Sequence, residues 1–225
     1  SASRDEYMRN LCGVYFKRNG DILSVVTADG YRLTKLDVPL PETNKFEGVV
    51  LLGATFIDTI MKLKSQKVII GKTSAAAGEQ FGDGNASMIS RLSNLNFPDY
   101  KRVLPQAQPN LQISVNPAEF IAAIESVQVV KPDGGVVLNI TDESITFEAK
   151  GENGQATSTC PVTESKGKTP FRIAFSPLFL REATQRFMAL KDAPATMPLA
   201  LEDEKSPLSI QLHDWQHIIM PIRTA

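Results

Sequence analysis

Apolar and polar positions alternate along most of this chain, and in three places the alternation gives way to a helical spacing. Residues 13–17 and 21–28 flank Arg18-Asn19-Gly20, and an Asn-Gly pair between apolar runs predicts a β-hairpin. The pattern continues as strands over 31–38 and 48–52, with a loop from Pro39 to Lys45 between them. Phe56, Ile57, Ile60, Met61 and Leu63 then form an apolar stripe that predicts a helix over 55–64, with Thr55 as its N-cap. Strands are expected at 67–71 and 86–92, joined by a mobile Gly- and Ala-rich loop over 74–85. The polar residues 1–11 predict one helical turn or a lead into the first strand.

The second half repeats the pattern. A strand over 111–115 precedes Asn116-Pro117-Ala118-Glu119, which carries an Asn cap, a proline at the first helical position and a glutamate at the third. Phe120, Ile121, Ile124 and Val127 give this helix one apolar face. Residues 131–135 read as a turn, followed by a hairpin of 136–140 and 144–149, a strand over 155–162 and a polar loop to Thr169. A strand over 171–175 leads through Ser176-Pro177 into a third helix reaching about Leu190. Strands over 197–201, 208–212 and 215–222 close the chain. Helix starts near 53, 116 and 176 fall about sixty residues apart, each preceded by a strand and followed by about three. The expected class is α+β, built from a repeated β-α-β-β-β unit. Three strands precede the first unit without a helix of their own, as though a fourth unit lacked its start.

Between the halves lies Phe97-Pro98-Asp99-Tyr100-Lys101-Arg102-Val103-Leu104-Pro105. Its prolines stiffen it, and its aromatic and apolar residues require packing partners. It reads as an ordered connector, which sets expected domains at 1–106 and 107–225.

Composition narrows the function. An apolar content of 42% suffices for hydrophobic cores, and a formal charge of −1 gives no global basic signal for nucleic acid. The distant cysteines, Cys12 and Cys160, lack metal-ligand spacing and fit a reduced, cytoplasmic setting. No apolar run is long enough for a transmembrane helix, and the start has no signal-peptide core. Gly71-Lys72-Thr73 fails as a phosphate loop because Gln66 stands where glycine is needed. His213 and His217, four apart on an expected surface strand, lie too far from each other for one metal. No nucleophile constellation appears, so no catalytic residue, metal or cofactor is expected. Cations are unevenly placed. Arg4 and Arg9 lie at the start, Lys62, Lys64 and Lys67 at the end of the first helix, and Arg181, Arg186 and Lys191 along the third. Glu119 and Glu125 on the second helix weaken a uniformly basic face.

Three stretches in order, Ala28-Asp29-Gly30-Tyr31-Arg32-Leu33, the connector and Met220-Pro221-Ile222-Arg223, resemble the bacterial replicative sliding clamp, the β subunit of DNA polymerase III. The resemblance covers the whole chain and implies most of the second clamp domain plus the third. It implies the clamp fold with helices on one face and antiparallel sheets on the other, and a ring of two subunits for a full-length chain, with the helices lining the hole around duplex DNA. It also implies a cleft between these domains that takes short linear motifs from the replicative polymerase α subunit, the clamp loader, translesion polymerases and mismatch-repair factors. The matching cleft positions are Leu11, Gly30, Tyr31, Arg32, Leu33, Pro98, Arg102 and Val103, with Ser176, Phe179, Ile218, Met220, Pro221, Ile222 and Arg223. Tyr31 stands where the family commonly has histidine, and Ser176 where it has asparagine. The eight cations above are the expected phosphate contacts, independent of DNA sequence. The expectation is therefore a non-catalytic processivity factor. Alternatives are a clamp-fold peptide-binding adaptor that does not encircle DNA, or an enzyme using the 74–85 loop. For the 225-residue chain the expected state is a monomer or a weak dimer.

Overall fold

A computed structural model describes the chain except residues 1, 4, 42–48, 63–68, 74–77, 83–86, 92–94, 131–133, 153 and 224–225. Two compact units result, Ser1–Tyr100 and Lys101–Ala225.

In the first unit a 3-10 turn, Glu6–Leu11, leads into β1 (Gly13–Asn19), β2 (Ile22–Ala28) and β3 (Arg32–Pro39). These are followed by β4 (Val49–Gly53), α1 (Ala54–Lys62), β5 (Ile69–Thr73), β6 (Gly78–Gly82) and β7 (Ser87–Arg91). One antiparallel sheet has the order β4-β1-β2-β3, and β5-β6-β7 form a second. The interval 74–85, expected as a loop, contains strand β6 in its described part. Its glycines hide the alternation that marks a strand, and pairing on both sides overrides their weak preference. The first hairpin closes on the pair Asn19 and Ile22, so its turn is Gly20-Asp21, one residue later than the Asn-Gly signal suggests.

Residues 97–100 pack on the β1 sheet. The Phe97 ring stacks on Tyr15 with centroids 4.8 Å apart, and Tyr100 meets Tyr15 edge-on at 6.0 Å. Burial, then the neighbouring Tyr100 and Asp99, pushes the Tyr15 hydroxyl above its ordinary value. The connector is not simply extended, because Tyr100–Val103 winds into a 3-10 turn. On the opposite face of the sheet from Tyr15, Val25 pairs with Leu36 and Leu23 with Val38, yet Leu36 and Val38 stay 39% and 36% exposed.

The second unit contains β8 (Leu111–Val115), α2 (Pro117–Gln128), β9 (Val136–Ile140), β10 (Ser144–Gly151) and β11 (Gly154–Gly167). It continues with β12 (Phe171–Phe175), α3 (Pro177–Met188), β13 (Met197–Leu201), β14 (Leu208–Leu212) and β15 (Trp215–Ile219). Strand order is β12-β9-β10-β11-β8-β13-β14-β15. β11 absorbs the expected polar loop and runs to Gly167, pairing first with β10 and then, past a bulge at Val162 and Glu164, with β8. The succession strand, helix, three strands occurs three times, starting at β4, β8 and β12.

Helix α2 starts where expected. The Asn116 side-chain oxygen accepts hydrogen bonds from the backbone N–H of Ala118 and Glu119 at 2.9 and 3.2 Å. Ser176 precedes Pro177 at the start of α3, and its side chain makes no capping bond. The inward faces, Phe120, Ala123, Ile124 and Val127 on α2 and Leu180, Ala183 and Phe187 on α3, meet alternate strand residues such as Leu138, Phe147 and Ile210. Phe120 and Phe147 contact edge to face, with centroids 5.3 Å apart. His213 and His217 depart from the expected exposed strand. His213 lies in the β14–β15 turn with φ of 49°, and His217 is fully buried and stacked on Trp215 at 5.8 Å. His217 shares the inward register with Ile210, which decides its burial.

The two thiols differ. Cys12 is half-buried, and its Sγ donates to the carbonyls of Asp5 and Met8. Cys160 is fully buried, and burial, aided by the Glu119 charge, pushes its thiol up to about 11. Iodoacetamide at neutral pH should therefore alkylate Cys12 and spare Cys160 until the protein is unfolded, as read by peptide mass. Native labelling of Cys160 would contradict this burial. The folded state holds the Cys160 proton more tightly, so that contribution to stability is intact below pH 9.0 and is lost as pH rises towards 11.

Candidate functional site

The expected cleft residues fall in both units. In the first, Asp29, Gly30, Tyr31 and Arg32 form a tight turn between β2 and β3. One Asp29 carboxylate oxygen accepts from the backbone N–H of Tyr31 and of Arg32, both at 3.0 Å, and the other accepts from Arg32 Nε at 2.8 Å. This fixes the Arg32 guanidinium and leaves Tyr31 59% exposed at the tip. Gly30 has φ of 90°, a region open to glycine, and a Cβ there would sit 3.7 Å from Met8 Sδ. Leu11 and Leu33 are buried at the base of this turn region, and Pro98 is exposed. The Ser3 N–H donates to the carbonyls of Leu11 and Ala28, tying the start of the chain to the same place. Met8 belongs to this constellation, although its sequence position suggests only a helix-forming residue.

In the second unit the tail after β15 carries the cleft residues. The Ile222 N–H donates to the Ala174 carbonyl at 2.7 Å, which binds the tail to the free edge of β12. A Cβ at Gly135 would lie 3.3 Å from Ile222 Cδ1 and 3.7 Å from the Phe175 carbonyl, so a glycine there lets the tail lie close. Sequence patterning reads Gly135 as part of a turn and does not reveal this packing role. Met220 and Pro221 are half-buried, and Ile222 remains 41% exposed. Ser176 and Phe179 are half-buried at the start of α3, just past Phe175, and Phe179 packs against the core. Ile218 is buried, which removes it from direct ligand contact. Arg102, Val103 and Arg223 are exposed. The tail, Gly135 and the Phe175 end of β12 thus meet in one place, next in sequence to Ser176.

Of the expected phosphate contacts, Arg4, Lys64 and Lys67 lie outside the described residues. Arg9, Lys62, Arg186 and Lys191 are exposed and Arg181 is half-buried. A cavity of about 680 Å³ opens on the opposite side of the second unit's sheet from α2 and α3. Gln112, Ser114, Ser209, Gln211 and Gln216 floor it under residues 105–109, and it contains none of the expected site residues. Among the described residues, no group of three or more His, Cys, Asp or Glu could hold a metal ion. No helix among them is long and apolar enough to cross a membrane.

Comparison with known proteins gives a consistent picture. No protein-family model matches the chain. The beta sliding clamp of Rickettsia bellii is 22% identical over 241 residues, which cover 99% of this chain and 62% of that protein. The beta sliding clamp of Streptomyces coelicolor is 24% identical over 233 residues, with the same shares. Among solved structures, the DNA polymerase III beta subunit of Thermotoga maritima superposes with a TM-score of 0.88 at 23% identity, over 100% of this chain and 61% of that one. A Bartonella birtlesii sliding clamp bound to griselimycin gives the same TM-score, identity and shares. The chain has the sliding-clamp fold, and it spans 62% of the length of the two curated relatives.

Proposed function

We propose that this chain acts as a DNA polymerase processivity factor of bacterial replication, tethering partner proteins to duplex DNA without catalysing a reaction. The observation that carries the reading is the match to beta sliding clamps over 99% of the chain, with the clamp fold throughout. In this reading the two units correspond to the middle and last clamp domains. A longer chain closes into a two-subunit ring inside the cell. The edge of residues 155–160 in β11 that lies opposite β10, unpaired among the described residues, and the exposed Val129 after α2 suit a subunit contact.

Each unit offers its own candidate surface for a linear motif, the Asp29–Arg32 turn in the first and the Met220–Arg223 tail with Phe179 in the second. Each surface combines apolar area with a held or exposed arginine, which suits a peptide with apolar anchors. Polymerase α subunit, clamp loader, translesion and mismatch-repair factors are the partner classes that the reading assigns. The competing adaptor reading predicts the same peptide binding and no DNA binding. Fluorescence anisotropy with two labelled duplexes of unrelated sequence separates the two. Weak binding, equal for both sequences and falling steeply with salt, supports the clamp. Sequence-selective binding that persists at high salt, or no binding at low salt, contradicts it.

A further inference from the structure

The helical surface of the second unit carries a mixed charge distribution. Helices α2 and α3 pack against each other, and their buried stripes turn the remaining residues outwards. On α2 the outward residues are Ala118, Glu119, Ala122, Glu125 and Ser126, so its only charges are two carboxylates. The exposed side and flanks of α3 carry Arg181 and Arg186 together with Glu182. Two arginines therefore face three glutamates. A duplex approaching this surface meets attraction at α3 and repulsion at α2, and α2 offers no long cationic side chain to release counterions.

We infer that Glu119 and Glu125 hold duplex DNA away from α2, leaving α3 with its Arg181 and Arg186 as the phosphate-contacting helix of this unit. This rests on the DNA-tethering reading above. In that arrangement phosphate contact is confined to one helix and carries no base readout.

The test is duplex binding by fluorescence anisotropy across a salt series, with three paired variants of the whole chain. E119K/E125K is expected to raise low-salt affinity on the order of tenfold and to steepen the salt slope by up to about 2, as two new phosphate contacts would. E164K/E202K makes the same formal charge change at the cavity on the opposite sheet face and is expected to leave affinity within about twofold, as a distant screened change should. Equal gains from both variants would show an effect of net charge alone and overturn the inference. No gain from E119K/E125K would also overturn it. R181E/R186E then decides the fate of the wider reading. Weakened binding keeps the helices at the DNA and removes only the role of α2, whereas unchanged binding removes the helical face from DNA contact altogether.

Discussion

Gly167→Ala is expected to destabilise the second unit by about 3–5 kcal/mol, a loss at the upper end of single substitutions. Gly167 closes the long strand β11 with φ of 123°, where an L side chain is strained. An added Cβ would stand 2.0 Å from the Asn110 carbonyl oxygen, 2.9 Å from its carbon and 3.0 Å from Leu111 Cα. These are backbone atoms, so no side chain can swing aside. Moving them would open the Gly167 and Leu111 pair and the bond from the Lys168 N–H to the Asn110 carbonyl at 2.9 Å. Trp215, the single tryptophan, lies in the core of this unit and reports its unfolding in denaturant. Gly154→Ala is the control. That glycine also has positive φ, 150°, but a Cβ there would meet nothing within 4 Å, so its cost should stay near 1 kcal/mol. Equal losses from the two variants would show that the close approach at Asn110 carries no weight.

Much of this fold is legible in the sequence because local signals and burial agree. Asn116-Pro117 starts α2 as its residue types require, and the sixty-residue repeat gives three strand–helix–strand–strand–strand units. Strand β6 escapes detection because Gly78 and Gly82 bracket a segment without alternation and its pairing is tertiary. His217 reads as surface because histidine is polar, yet strand register turns it inwards beside Trp215. The turn of Asp29 and Arg32 is legible as local chemistry. The contacts that hold the tail are not, because Gly135, Ala174 and Ile222 are far apart in sequence and meet only once β12 is an edge.

The second large effect is expected at the tail. Met220→Asp should reduce binding of a peptide carrying leucine and aromatic anchors by at least about thirtyfold, the loss typical of a binding hot spot. Met220 is half-buried in the chain between β15 and the Ile222 bond to Ala174, and under the proposed function its flexible thioether adapts to an apolar anchor. A carboxylate there must either stay hydrated, which blocks the anchor, or be buried without a partner. The core cluster includes Trp215 and Ile219 but not Met220, so denaturation followed by Trp215 should change little. A folded variant that binds peptide as well as the parent would remove the tail from the site.

Linear-motif binding by this chain, the proposed role, is tested by titrating the unaltered protein into a fluorescently labelled peptide with leucine and aromatic anchors. Saturable binding of one peptide per chain is expected, displaced by unlabelled peptide and lost when both apolar anchors become alanine. Absence of binding, or equal binding of a scrambled peptide of the same composition, would contradict it.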